Sequence, residues 1–189
     1  METEQINTSE RDRNEEEILT RSKSDPEAFK SIYTKYFKKI FLFVLHRIGE
    51  KQISADITQQ VFLKALTGLS KFQFKGLPFS AWLYRIAINE CNDFFRKTKK
   101  SRLVVLEESK VGHLFEELTS DNTQEELELK LPLILQKLNV DELQLIEFRF
   151  FEARPFKEIA EILDITETYA KVKTYRTLEK MKKLFLTKK

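Results

Sequence analysis

Cysteine occurs once, at Cys91, so the chain cannot close a disulfide on itself and offers no set of thiolates for a metal. That usage suits a reducing cytoplasm. Glycine and proline number four each. A β-sandwich or barrel needs many tight turns and usually more of both, so the scarcity points to helices. Histidine is nearly as rare, with His46 and His113 in separate segments. There is no glycine-rich phosphate loop and no metal-ligand spacing. No cofactor, metal or catalytic constellation is therefore expected, and none of the many carboxylates stands out as a pair. No apolar run approaches the roughly 20 residues of a membrane span. The first residues are acidic and polar, unlike a signal peptide. Membrane insertion is not expected.

What is abundant is charge. Of 189 residues, 33% are charged and 41% are hydrophobic, with a net charge of only +3 and a pI near 8.8. The placement matters more than the total. Glu2, Glu4, Glu10, Asp12 and Glu15–Glu17 make the start acidic. Arg96, Lys97, Lys99, Lys100 and Arg102 form a basic block without an acid among them. Leu103–Lys130 is acidic again, and from Ile165 onward bases dominate. Two basic blocks around an acidic one suggest two polyanion-binding modules, with solvated helix faces as the plainer alternative.

Hydrophobic spacing supplies the helices. Asp25, Pro26 and Glu27 make a helix start, and Gly49 a stop. Between them Phe29, Ile32, Tyr33, Tyr36, Phe37, Ile40, Phe41, Val44, Leu45 and Ile48 keep the three-four spacing, with Lys30, Lys35, Lys38, Lys39 and Arg47 mainly off that stripe. A second helix is expected from Ser54 to about Leu69, burying Ile57, Val61, Ala65 and Leu69. A loop over Lys71–Pro78 leads to a third, from about Phe79 to Lys97, with Leu83, Ile86, Ala87, Cys91 and Phe94 on one face and Arg85, Asn89, Asp93 and Arg96 on another. Residues 101–125 read as a linker. Leu127–Leu138 reads as a helix that bends or restarts at Pro132. Asp141 with Gln144 resembles a capping box. Then come a short amphipathic helix through Phe156, Ile159, Ala160 and Leu163, a break at Asp164-Ile165-Thr166, and a last helix. That helix turns Ala170, Leu178, Met181 and Phe185 inward and Lys171, Lys173, Tyr175, Arg176 and Lys180 largely outward.

Short helix, three-residue turn and longer basic helix have helix-turn-helix spacing. The alternative is an αα-hairpin within a bundle, and the surplus of bases on the second helix argues against it. The Phe72–Arg96 stretch combines rings with cations, as binders of single-stranded DNA do. On composition alone its aromatics, Trp82 especially, read more readily as ordinary core at helical spacing.

The order of these pieces resembles the extracytoplasmic-function (ECF) sigma factors of bacterial RNA polymerase, over about Ser24–Lys100 and Leu131–Leu186. Ala55-Asp56-Ile57-Thr58-Gln59-Gln60-Val61-Phe62-Leu63 is similar to the polymerase-binding helix of the family's region 2. Asp56, Gln59, Val61 and Phe62 match, whereas Ala55 and Gln60 stand where acids are usual. The resemblance implies polymerase contacts by Asp56, Gln59, Gln60, Phe62 and Leu63. Phe79-Ser80-Ala81-Trp82-Leu83-Tyr84-Arg85-Ile86-Ala87, followed by Asn89, Asp93 and Arg96, is similar to the helix that captures an unpaired minus-ten base. It implies minus-ten roles for Phe72, Phe74, Lys75, Phe79, Arg85, Asn89, Asp93, Arg96 and Lys97. Lys157-Glu158-Ile159-Ala160-Glu161-Ile162-Leu163 resembles the first helix of the region 4 helix-turn-helix. Thr168, Lys171, Val172, Lys173, Tyr175 and Arg176 fall on its recognition helix, which reads the minus-thirty-five element. Asp164, Tyr169, Val172 and Thr174 depart from the usual Gly, Thr, Ser and Leu.

The expected fold is all-α: an acidic tail over 1–20, a region 2 domain over 21–100, an acidic linker over 101–128 and a region 4 domain over 129–187. The expected partners are core RNA polymerase, promoter DNA and a cognate anti-sigma factor. The alternatives are a helix-turn-helix regulator that binds duplex DNA alone and a helical adaptor with no DNA role.

Overall fold

The computed structural model of the chain describes residues 14–73, 78–98, 114–118 and 124–186, and at 124–128 the backbone only. Its elements are helical throughout the described residues. The chain divides into two compact units, Met1–Leu103 and Val104–Lys189.

The first described element of the first unit is α1 (14–22), which overlaps the end of the stretch expected as a tail. Its Leu19 is buried. Its Glu15 is buried too, accepting a hydrogen bond from Tyr36 Oη at 2.7 Å and pairing with Lys35. The described part of an acid-rich stretch thus yields a docked helix, because the Glu15 carboxylate finds partners and Glu16 and Glu17 face water. The Asp25 side chain accepts from the Glu27 backbone N–H at 3.1 Å and caps a 3₁₀ turn, Pro26–Ala28. This leads directly into α2 (Phe29–Ile48), which stops at Gly49 with φ 78°, as expected. Arg47 departs from expectation. It is 1% exposed, with its guanidinium carbon 4.4 Å from the centroid of the Phe43 ring. A planar cation over an aromatic face tolerates such burial better than a lysine would.

α3 (Lys51–Gly68) begins three residues before Ser54. The Ser54 hydroxyl donates backward to the Glu50 carbonyl at 2.7 Å, which makes it an interior residue and not a cap. α4 (Phe79–Thr98) lies against both α2 and α3. Val61 and Ala65 of α3, Leu83, Ala87 and Cys91 of α4, and Ile40 and Val44 of α2 are all buried, and the three helices pack on one another around them. Lys64 of α3 is tied to Glu90 of α4. Where these two helices approach, a Cβ on Gly68 would stand 3.3 Å from the Trp82 ring.

The second unit has a core of its own. A short helix, α5 (114–118), contributes Leu114, Phe115 and Leu118 to it, although its residues were expected as linker. α6 (Gln124–Leu135) runs unbroken through Pro132, whose carbonyl still accepts from the Gln136 N–H at 3.2 Å. α7 (Val140–Ile146) begins with a capping box two residues ahead of the expected one. The Asn139 side chain accepts from the Glu142 N–H at 2.9 Å, and Glu142 Oε2 accepts from the Asn139 N–H at 3.0 Å. Gln144 is buried in the helix instead. A π-helical turn, Glu147–Phe151, ends this segment. α8 (Phe156–Leu163), the turn and α9 (Glu167–Leu186) follow as expected. Asp164 takes the left-handed conformation, φ 59°, where glycine would be unstrained. The Thr166 hydroxyl oxygen accepts from the Tyr169 N–H at 3.2 Å and starts α9.

Candidate nucleic-acid and polymerase interfaces

α3 has one buried side and one free side. Val61, Phe62 and Ala65 are buried, whereas Asp56, Gln59, Gln60 and Leu63 are exposed, Leu63 by 54%. A leucine that exposed, set among short polar side chains, makes a small amphipathic patch. Phe62 does not belong to that patch. Its ring lies 4.8 Å from Tyr33, 6.2 Å from Phe37 and 6.5 Å from Phe29, so it anchors α3 to α2 from behind. Burial of so large a ring overrides any surface role suggested by its position in the motif.

On α4 the polar residues follow the expected spacing. Asn89 and Arg96 are exposed, Arg85 and Asp93 are half-buried, and Lys97 extends the row in solvent. Arg96 pairs with Asp93 at 2.9 Å. An exposed i,i+3 pair of this kind contributes little and leaves Arg96 free to exchange one anion for another. Phe79 is a correction. It is fully buried, with its centroid 5.2 Å from Phe72, 5.4 Å from Trp82, 6.3 Å from Tyr36 and 6.4 Å from Phe29. It can touch no base without unfolding the unit. Phe72 and Trp82 are half-buried with centroids 4.9 Å apart, so a ring edge does reach the surface ahead of α4. Lys23 fixes the backbone there by donating to the Phe72 carbonyl at 3.3 Å. Phe74 and Lys75 lie outside the described residues, as does the basic stretch after Thr98.

α9 separates its faces most completely. Ala170, Thr174, Thr177, Leu178, Met181 and Phe185 are buried. The Thr174 hydroxyl is satisfied by the Ala170 carbonyl at 2.8 Å. Thr168, Lys171, Val172, Tyr175 and Arg176 are exposed. Lys173 is half-buried at the edge, and Lys180, its side chain 42% exposed, donates from Nζ to Glu142 at 2.7 Å. Burial alone would raise the Glu142 carboxyl above its ordinary 4.5, but hydrogen bonds from Lys180 and the Asn139 N–H, with the charges of Lys180 and Lys173, bring it below. Glu161 of α8 is raised, by burial first and by the charge of Glu158 second, against the pull of Lys157. Sequence spacing missed Tyr169, which is 52% exposed beside Thr168. Its place three residues before Val172 on α9 puts it beside the outer face.

A helix-turn-helix unit with a basic outer face and a separate helical unit with polar faces of its own define a two-module DNA-binding protein. The family model described as Sigma-70 region 2 matches residues 32–101, and Sigma-70, region 4 matches residues 134–183. The ECF RNA polymerase sigma factor BldN of Streptomyces coelicolor is 26% identical over 89% of this chain, a match spanning 64% of BldN. SigW of Bacillus subtilis, also an ECF sigma factor, is 29% identical over 85% of this chain and 90% of its own length. A solved structure of CnrH in complex with the cytosolic domain of CnrY shares the fold, with a TM-score of 0.59 at 19% identity over 88% of this chain and 94% of that one. The chain belongs to the sigma-70 family of RNA polymerase sigma factors, in its ECF subfamily. Members of this family are transcription initiation factors and not enzymes.

Proposed function

We propose that the chain docks on core RNA polymerase through the exposed Asp56, Gln59, Gln60 and Leu63 of α3 and directs it to promoters with α4 and α9. On α4, Arg85, Asn89, Asp93, Arg96 and Lys97 would meet the minus-ten element, with the Phe72 ring edge beside an extruded base. Extrusion costs a few kcal/mol of unstacking, which that site must offset. On α9, Thr168, Lys171, Val172, Lys173, Tyr175 and Arg176 would lie in the major groove of the minus-thirty-five duplex. The chain performs no catalysis and acts in the cytoplasm. A cognate anti-sigma factor is the remaining proposed partner.

The observation that carries this reading is the separation of faces on α9: an apolar side closed into the core, and a side with Lys171 and Arg176 open to solvent. Initiation in vitro from genomic fragments with added core polymerase tests it. Asp56→Arg should abolish core binding while leaving the helical signal in circular dichroism unchanged. Wild-type affinity of that variant would overturn the α3 assignment. Tight, specific duplex binding by the free chain, with no polymerase-dependent thymine reactivity toward permanganate, would instead favour a regulator that acts alone.

A further inference from the structure

We propose that Val172 reads the 5-methyl group of a thymine in the minus-thirty-five duplex, so that this chain selects a T·A pair at that step. The inference rests on the placement of α9 in the major groove proposed above.

The direction of the core fixes the outer midline of α9. Ala170, Thr174, Thr177, Leu178 and Met181 are buried and define the inward side. At 3.6 residues per turn, Val172 lies almost opposite their mean direction, with Thr168 one turn before it and Arg176 one turn after. Val172 is 43% exposed. A β-branched residue loses side-chain freedom in a helix, and this one turns an isopropyl group to water in return. Neither helix stability nor core packing accounts for valine at this place.

The neighbours do not cover it. The Tyr175 ring leans toward Phe156 of α8, with centroids 6.1 Å apart, and the Arg149 guanidinium carbon stands 4.9 Å from the same Phe156 ring. Lys173 is half-buried at the other edge. The middle of the face is left to Thr168, Val172 and Arg176. They occupy the first three turns of α9, and the N-terminal turns of a recognition helix are those that reach base edges.

Valine has no donor or acceptor. Against guanine, adenine or cytosine it would cover polar base edges without bonding them, which is a cost. Thymine alone presents an apolar group in the major groove. The pairing of an isopropyl group with a methyl group is therefore the one base contact Val172 can make favourable. Thr168 and Arg176 bracket it with groups that can bond the flanking pairs or phosphates.

The test uses the full chain assembled with core polymerase. Promoter duplexes are selected from a library randomised across the minus-thirty-five element. Each selected thymine is then replaced singly by deoxyuridine, which removes only the methyl group, and closed-complex affinity is measured. One replacement should weaken binding about fourfold, the worth of one buried methyl group. Val172→Ala should bind the thymine and uracil duplexes alike. The proposal is overturned if no single uracil matters, or if Val172→Ala keeps the same sensitivity. If randomising the whole element leaves affinity unchanged and Lys171→Ala and Arg176→Ala have no effect, the placement of α9 on DNA has failed, and the proposal fails with it.

Discussion

α9 and the Phe72–Lys97 stretch carry similar ingredients, bases interleaved with aromatic and aliphatic side chains, and use them differently. On α9 the ingredients sort by angle: core residues on one side, candidate reading residues on the other, with little shared. Ahead of and along α4 they sort by depth. Phe79 is sealed inside, Phe72 and Trp82 straddle the boundary, and the polar row beginning at Arg85 stands near or in solvent. A face sorted by angle can change its DNA contacts one residue at a time without disturbing its support. A face sorted by depth cannot, because the same aromatic cluster both supports the helix and borders the proposed base site.

The sharpest way to break this comparison is Phe79→Ala. Truncating a fully buried ring should cost about 3–5 kcal/mol, seen in urea unfolding as loss of stability in the first unit alone. Should the protein keep its stability and lose only promoter opening, the ring would be a DNA contact and the distinction would collapse. Next in size are Lys171→Ala and Arg176→Ala. They should leave the unfolding curve within about 0.5 kcal/mol of wild type. A lost phosphate contact should lower the salt slope of promoter binding by about one, whereas a lost base contact should relax preference at one position.

A smaller effect concerns what holds α9 in place. The Glu142 carboxyl is depressed in the folded protein. Its contribution is therefore present above its unfolded value of 4.5 and is lost as pH falls through the lower folded one. Glu161, shifted upward, works in the opposite sense and loses its contribution as pH rises. Acid titration of the second unit in wild type and Glu142→Gln isolates the first effect, and the variant should lack that component of acid sensitivity. Equal acid profiles would remove Glu142 and Lys180 as the tie between α7 and α9. Smallest of all, Asn139→Ala should cost about 1 kcal/mol by uncapping α7, and helix-turn-helix affinity for DNA should follow stability rather than sequence.

Legibility in the sequence followed the strength of local signals. α2 was readable because ten apolar positions and both terminators, Asp25 and Gly49, agree. α8 and α9 were readable for the same reason, with Thr166 as the cap. α1 was not, since a run of acids conceals Leu19 and the buried Glu15, whose partners lie about 20 residues away. α5 is too short and too acidic to show periodicity, yet three of its residues are core. Arg47 reads as a surface base because spacing ignores what lies above it, here the Phe43 ring. At the candidate sites the polar members were legible, but Phe62 and Phe79 were placed at the surface by motif and buried by packing. A motif records which residues recur together and is silent on which of them supports and which touches.

The contact between Gly68 and Trp82 has a mechanical meaning. α3 carries the proposed polymerase face and α4 the proposed minus-ten face, and the two helices are seated with no clearance at the point where a missing side chain admits the indole. A methyl group there would act as a shim a few tenths of an ångström thick. Inserted near the end of α3 and the start of α4, it would require the indole or one of the two helices to give by that amount, while leaving every residue on both working surfaces intact. A hydrogen atom at position 68 is thus what lets the indole seat between the helix of the proposed polymerase face and the helix of the proposed minus-ten face.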